Sequence, residues 1–155
     1  MSLSLAKITS PADLDAIGQA YREEQKRFRH RLFVCGGAGC VSSGCHAVQS
    51  ALQRVLSAAG LDSETAVHAT GCIGSCHLGP ALIVQPDGVL YVKLAPEDIP
   101  RIVKEHLQEG RIVQDLCLLD RERGTRVPHL AEIPFFRRQM RIVTAHCGTM
   151  AYDSL

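Results

Sequence analysis

Apolar positions along the chain alternate between helical and extended spacing, and the switches divide it into elements. Ser10-Pro11-Ala12-Asp13 combines an N-cap residue, a proline at the first helical position and an acid in the first turn. Leu14, Ile17, Tyr21 and Phe28 then recur near helical spacing. The pattern predicts a helix from Pro11 to Phe28. Its second half, REEQKRFRHR, leaves a thin apolar stripe, which fits a helix on one edge of the domain or a solvated face. RLFV, Arg31 to Val34, reads as a strand delivering the chain to a loop. HAVQSALQRVLSAAG places Val48, Leu52, Val55, Leu56 and Ala59 on one face before Gly60 in a stop position, which predicts a helix with a buried side. TAVHAT is a second strand. ALIVQPDGVLYVKL is two β-rich runs around Pro86-Asp87-Gly88, a hairpin signal. A last helix is expected from Pro96 to Glu109, with Ile99, Ile102, Val103 and Leu107 sharing a face, Pro100 in the first turn and Gly110 as the stop.

The order over Arg31 to Gly110 is therefore β-α-β-β-β-α after one leading helix. A four-stranded mixed sheet with flanking helices buries those faces economically, an α/β class. Beyond Gly110 the periodicity fades into a charged turn around Gly124, then an aromatic and basic run. Residues 113–155 read as an extended segment that packs on something else, with Phe135, Phe136, Met140, Ile142 and Val143 lacking a local partner beside Arg137, Arg138 and Arg141. The expected organisation is 1–30 as an N-terminal helix, 31–112 as the domain and 113–155 as a linker or docking segment. In isolation such a segment frays or buries its apolar groups against a second copy, giving a homodimer.

Composition narrows the function classes. With 46% hydrophobic residues in 155, the chain can form a core. Its 17 Lys and Arg balance 16 Asp and Glu, so no overall field draws it to nucleic acid or anionic lipid. No signal-peptide pattern opens the sequence and no apolar run is long enough to insert in a membrane, so the expectation is a cytoplasmic protein. Seven cysteines are an odd number, and in a reducing compartment they point to metal or redox chemistry.

The cysteines carry that chemistry. Their spacing is Cys35-x4-Cys40-x4-Cys45 and Cys72-x3-Cys76, with Cys117 and Cys147 apart. Each group follows a predicted strand, and the ends of neighbouring parallel strands meet, so four thiolates can surround one centre. The Cys-x-x-Cys of zinc ribbons and thiol-disulfide oxidoreductases is absent. Two ferric ions, two sulfides and four thiolates carry two net negative charges, and burying them requires donors aimed at the sulfurs. Gly36, Gly37, Gly39, Gly44, Gly71, Gly74 and Gly79 would let backbone amides approach or let the loops turn. A dinucleotide fingerprint begun at Gly37 fails at Ser42. A four-cysteine zinc site uses the same ligands and stays open as an alternative, giving a zinc-stabilised interaction module. His46, His68 and His77 flank the cysteines and raise the question of Rieske-type ligation, although a loop or strand role is expected. Cys117 reads as a buried small hydrophobe and Cys147 as a tail residue.

FVCGGAGC, TGCIGSCHLGP and VKLAPEDIPRIVKEHLQEGR together resemble the thioredoxin-like 2Fe-2S ferredoxin domain, found in complex I and in the NADH-oxidising (diaphorase) flavoprotein subunits of NAD-linked hydrogenases and formate dehydrogenases. The resemblance runs from about Tyr21 over nearly all of the chain. It implies a thioredoxin-like fold and one 2Fe-2S cluster held by Cys35 and Cys40 on one loop and Cys72 and Cys76 on the other. Because Cys40 and Cys45 repeat the same interval, spacing alone leaves the first pair ambiguous. Cys35 follows a strand directly, whereas Cys45 falls in the first turn of a helix after Ser42-Ser43-Gly44, which favours Cys35. IPFFRRQMRIVTAHCG resembles the segment that introduces the flavin and NADH domain of diaphorase subunits. The implied role is one-electron transfer in an NADH:acceptor oxidoreductase, as a module and not a complete enzyme. FMN and NAD are expected only in a downstream domain or subunit, which with other iron-sulfur subunits makes up the expected partners.

Overall fold

The computed structural model describes residues 8–151; residues 1–7 and 152–155, the outermost parts of the expected 1–30 and 113–155 segments, lie outside it. Helix α1 spans Pro11–Gln25 and starts as its sequence requires. The Ser10 hydroxyl accepts from the Asp13 amide at 3.3 Å, and the Asp13 carboxylate accepts from the Ser10 and Thr9 amides at 2.9 and 2.8 Å. It ends three residues before Phe28, in single turns closed by Arg27 and Phe28 amides. Leu14 and Ile17 stay exposed and only Gln25 is buried, so the charged helix is mostly solvated.

The central sheet contains β1 (His30–Cys35), β2 (Thr65–Thr70), β3 (Leu82–Gln85) and β4 (Val89–Tyr91), in the order β2-β1-β3-β4. β1 and β2 run parallel, with Cys35 opposite Thr70; β1–β3 and β3–β4 are antiparallel. Between β1 and β2 come the short helix α2 (Ala38–Ser42) and helix α3 (Cys45–Ala59), which buries Cys45, Val48, Ala51, Leu52 and Leu56 and closes on Gly60 at φ +70°. The last long helix winds in three ways: a 3₁₀ turn at Pro96–Asp98, α4 proper at Ile99–Ile102 with Pro100 in its first turn, and a π-helical stretch Val103–Gln108. Strand and helix order over this domain is the one the periodicity predicts, and Leu32, Leu52, Leu82, Leu90, Ile99 and Ile102 meet in one core with essentially no exposure.

The segment after Gly110 differs from expectation. It forms a hairpin, β5 (Leu118–Asp120) and β6 (Thr125–Val127), followed by the single turn α5 (Pro134–Arg137), and it covers the free edge of β4. The Val92 amide donates to the Leu116 carbonyl at 3.0 Å, Leu90 to Pro128 at 2.8 Å and Leu130 to Gly88 at 3.0 Å. An uncovered edge strand would leave these groups unpaired. Val113, Cys117, Val127, Ile133 and Phe136 join the core, so Phe136 has the local partner that the sequence pattern did not show. Phe135, Met140, Ile142 and Val143 remain exposed.

Candidate metal centre

β1 and β2 end side by side, and the loops that leave them fold over each other. The Gly36 amide donates to Thr70 at 2.8 Å and the Cys35 amide to Ala81 at 3.0 Å, which seats Cys35 at the junction of three strands. Cys40 is carried on α2, and Cys76 opens a 3₁₀ turn, Cys76–Leu78, that α2 packs against. Cys35 and Cys40 are 2% exposed, Cys72 is half-buried and Cys76 is exposed, so the group runs from the core outward to the surface.

Glycine matters here mainly through missing side chains. A Cβ on Gly37 would stand 2.8 Å from Cys72 Cβ and 2.9 Å from its Sγ; one on Gly39 would be 2.8 Å from Cys76 Cβ; one on Gly79 would be 2.7 Å from Cys40 Sγ. Each loop therefore reaches the other's cysteines only because these positions are bare. Gly74 serves differently. At φ +95° it turns its amide toward Cys72 Sγ at 3.4 Å, an N–H donor to sulfur of the kind a buried anionic cluster requires.

The sulfurs of Cys72 and Cys76 lie 4.0 Å apart. Two sulfurs on one tetrahedral metal with metal–sulfur bonds near 2.3 Å are about 3.8 Å apart, so this pair matches the span of a single metal ion. Burial first, and then the adjoining Cys35 thiol, push Cys40 up to about 12. Cys76 is raised by its hydrogen bond to Cys72 and by that thiol's charge. Thiols so placed become thiolates together only with positive charge among them. The thiols thus lie as a buried pair, Cys35 and Cys40, and a pair nearer the surface, Cys72 and Cys76.

The sequence of residues 10–107 matches the model of the thioredoxin-like [2Fe-2S] ferredoxin family. The chain belongs to this family. Two members that it resembles are the 2Fe-2S ferredoxin of Clostridium pasteurianum, 31% identical over 57% of this chain and 94% of that protein, and that of Aquifex aeolicus strain VF5, 33% identical over 59% of this chain and 89% of that protein. A crystal structure of the wild-type Aquifex aeolicus ferredoxin superposes with a TM-score of 0.53 at 33% identity, covering 57% of this chain and 95% of that one. Membership makes the protein a 2Fe-2S ferredoxin whose role is electron transfer, and the fold is thioredoxin-like as the sequence resemblance implied. No helix among the described residues is long and apolar enough to cross a membrane.

Other candidates fall as follows. Cys45 begins α3, is 2% exposed and is pushed up by burial and then by Cys35, so it faces the group without matching the strand-end position of Cys35. Cys117 is fully buried, with its thiol toward the Val113 carbonyl at 3.6 Å, a core residue as expected. His46 and His77 face solvent, and His68 stacks on Phe33 at 5.4 Å between ring centroids. Cys147 is more than a tail residue. A Cβ on Gly71 would meet its Sγ at 2.8 Å, and its thiol feels the charges of Cys72 and Cys35. It is held there by Thr70, which is fully buried: Thr70 Oγ1 accepts from the Gly148 amide at 2.8 Å and donates to the Met150 carbonyl at 2.9 Å. No periodicity signals a contact made across nearly eighty residues, so neither the role of Thr70 nor the placement of Cys147 was legible in the sequence.

Proposed function

We propose that Cys35 and Cys40 hold one iron and Cys72 and Cys76 the other iron of a single 2Fe-2S cluster, and that the domain passes single electrons for a flavoprotein that exchanges them with NAD. The pairing of sulfurs carries the first part: a 4.0 Å couple at Cys72 and Cys76, facing a buried couple at Cys35 and Cys40 across glycines that leave space for nothing larger. The similarity of IPFFRRQMRIVTAHCG to diaphorase subunits supports the second part. A bound cluster supplies a one-electron couple, with potentials near about −400 mV for plant-type four-thiolate ligation. The protein's own groups confine and tune it. Ile73 and Leu78, within the second cysteine loop, are buried and would keep water from its inner side, and the Gly74 amide would stabilise added negative charge at Cys72. Segment 113–155 then stands between this domain and the flavin and NADH domain or subunit, with other iron-sulfur subunits as further partners.

The deciding experiment is iron and acid-labile sulfide analysis of anaerobically purified protein, with EPR of the dithionite-reduced form. Two irons and two sulfides per chain with a rhombic S = 1/2 signal are expected. Stoichiometric zinc without iron would instead make the chain a zinc-stabilised interaction module.

A further inference from the structure

Thr70 ties three parts of the chain to one point. It ends β2 opposite Cys35, its carbonyl accepts from the Gly36 amide at 2.8 Å, and Gly71 and Cys72 follow it directly. Its hydroxyl is fully buried and holds the turn 146–150 through the Gly148 amide and the Met150 carbonyl. That turn is seated on the sheet by two further features. Gln85 Nε2 reaches the Gly148 carbonyl at 3.5 Å, and a side chain on Gly148, at φ +93°, would collide with Ile83. Cys147 therefore has a fixed place. Its Sγ lies 2.8 Å from where a Gly71 Cβ would stand, at the root of the loop that carries Cys72, in a small groove shared with Val143, His146 and Met150.

We propose that Thr70 positions Cys147 as a thiol donor toward the sulfur of Cys72, and that this donor, together with the Gly74 amide, favours the reduced cluster. The cluster carries two negative charges when oxidised and gains a third on reduction, so a donor at one of its sulfurs stabilises the reduced form more and raises the potential. The Gly74 amide approaches Cys72 Sγ at 3.4 Å from within the loop, and Cys147 stands on the Gly71 side. The Cys147 backbone amide is taken by the Thr144 carbonyl at 3.1 Å, which leaves the S–H as its free donor. Arg141 adds positive charge at longer range, since its field reaches Cys147. A side chain that merely filled the gap would act the other way, because excluding water from a negative cluster lowers its potential. The sign of the shift therefore separates donor from filler. The inference rests on Cys72 being a ligand, which iron and sulfide content tests separately.

The experiment is an EPR-monitored redox titration of the cluster-loaded chain and of four variants, with iron and sulfide measured on each. Cys147→Ala should lower the midpoint potential, and Cys147→Ser, which keeps a donor, should restore most of the native value. Thr70→Val keeps the shape of the side chain and removes both hydrogen bonds. It should lower the potential in the same sense, Thr70→Ser should restore it, and Thr70→Val should add nothing further in a Cys147→Ala background. A raised potential in Cys147→Ala would show that the thiol only excludes water, and an unchanged one that it does not act on the cluster; either overturns the inference. Loss of iron in both Cys147 variants would make the residue a ligand or a packing group and overturn it too. A further drop when Thr70→Val is added to Cys147→Ala would remove Thr70 from the positioning role. Should Thr70→Val fail to take up iron, Cys147→Ala against Cys147→Ser decides, because that side chain is only half-buried.

Discussion

At the scale of single residues, Cys35 and Cys45 separate two ways of making the first pair. Cys35 ends β1 and is tied to β3 through the Ala81 carbonyl, whereas Cys45 sits in the first turn of α3. A helical side chain leans toward the preceding turn, so the Cys45 thiol points back toward the cluster loops without sharing their backbone position. Cys45→Ser should therefore retain iron and sulfide with a modest shift in potential, while Cys35→Ser loses the cluster or leaves it labile to chelators. The opposite pattern in iron content and EPR would exchange their roles. Gly37 allows a second test because its φ of −63° suits any residue. Only the 2.8 Å approach to Cys72 forbids a side chain. Gly37→Ala should push the second loop away, costing about 1–3 kcal/mol in thermal unfolding and reducing cluster content, and an Ala variant with full iron and native stability would refute the close approach.

At the scale of elements, the hydrophobic pattern was legible wherever an element had one buried face. α3, β1, β2 and the β3–β4 hairpin each bury an apolar run against the same core, so their periodicity carried their identity. β5 and β6 were not legible because Leu118, Leu119 and Asp120 pair with Val127, Arg126 and Thr125 across a hairpin with little burial. Spacing grouped the cysteines of each loop but left the first pair open between Cys35 and Cys45, and Thr70 and Cys147 meet only through tertiary contact. So does the network that fixes the last helix to the hairpin turn. Tyr91 Oη lies 2.9 Å from His106 Nδ1, His106 Nε2 lies 3.1 Å from Asp87 Oδ2, and the Val113 amide donates to Tyr91 Oη at 3.2 Å. The Asp87 carboxylate can only accept, so Nε2 donates and the neutral ring takes the tyrosine proton at Nδ1. Burial lowers His106 from 6.5, against the opposing pull of Asp87, and burial likewise lowers His30, which lies near Asp87, His106 and Arg29. A histidine kept neutral by folding contributes stability that is fully present above 6.5 and is lost as pH falls below it toward the lowered folded value. His106→Gln should cost about 1–3 kcal/mol at neutral pH and flatten the loss of thermal stability on acidification. An unchanged pH slope in the variant, measured by circular dichroism melts, would remove His106 from this role.

On the scale of the whole molecule, the exposed apolar groups gather near the end of the C-terminal segment. The segment itself divides. Its part up to Phe136 is bonded to β4 and the core, whereas Met140, Ile142 and Val143 are 90%, 79% and 97% exposed. Hydrogen exchange should follow that division, slow at Cys117 and at Leu130, whose amide bonds Gly88, and fast from Arg138 to Ala145. Full burial of an apolar side chain contributes about 1.5–3 kcal/mol, but three such groups must also offset the loss of free rotation and translation on association. The expected outcome for the isolated chain is at most a weak dimer, with a dissociation constant on the order of 100 μM or weaker. Sedimentation velocity at rising concentration should show it, and Ile142→Asp combined with Val143→Asp should abolish it while leaving iron content intact, because neither residue belongs to the fold's core. A native chain that stays monomeric to millimolar concentration would mean that the exposed trio is too dispersed to form one patch. Dimerisation that survives both substitutions would place the contact away from these three side chains.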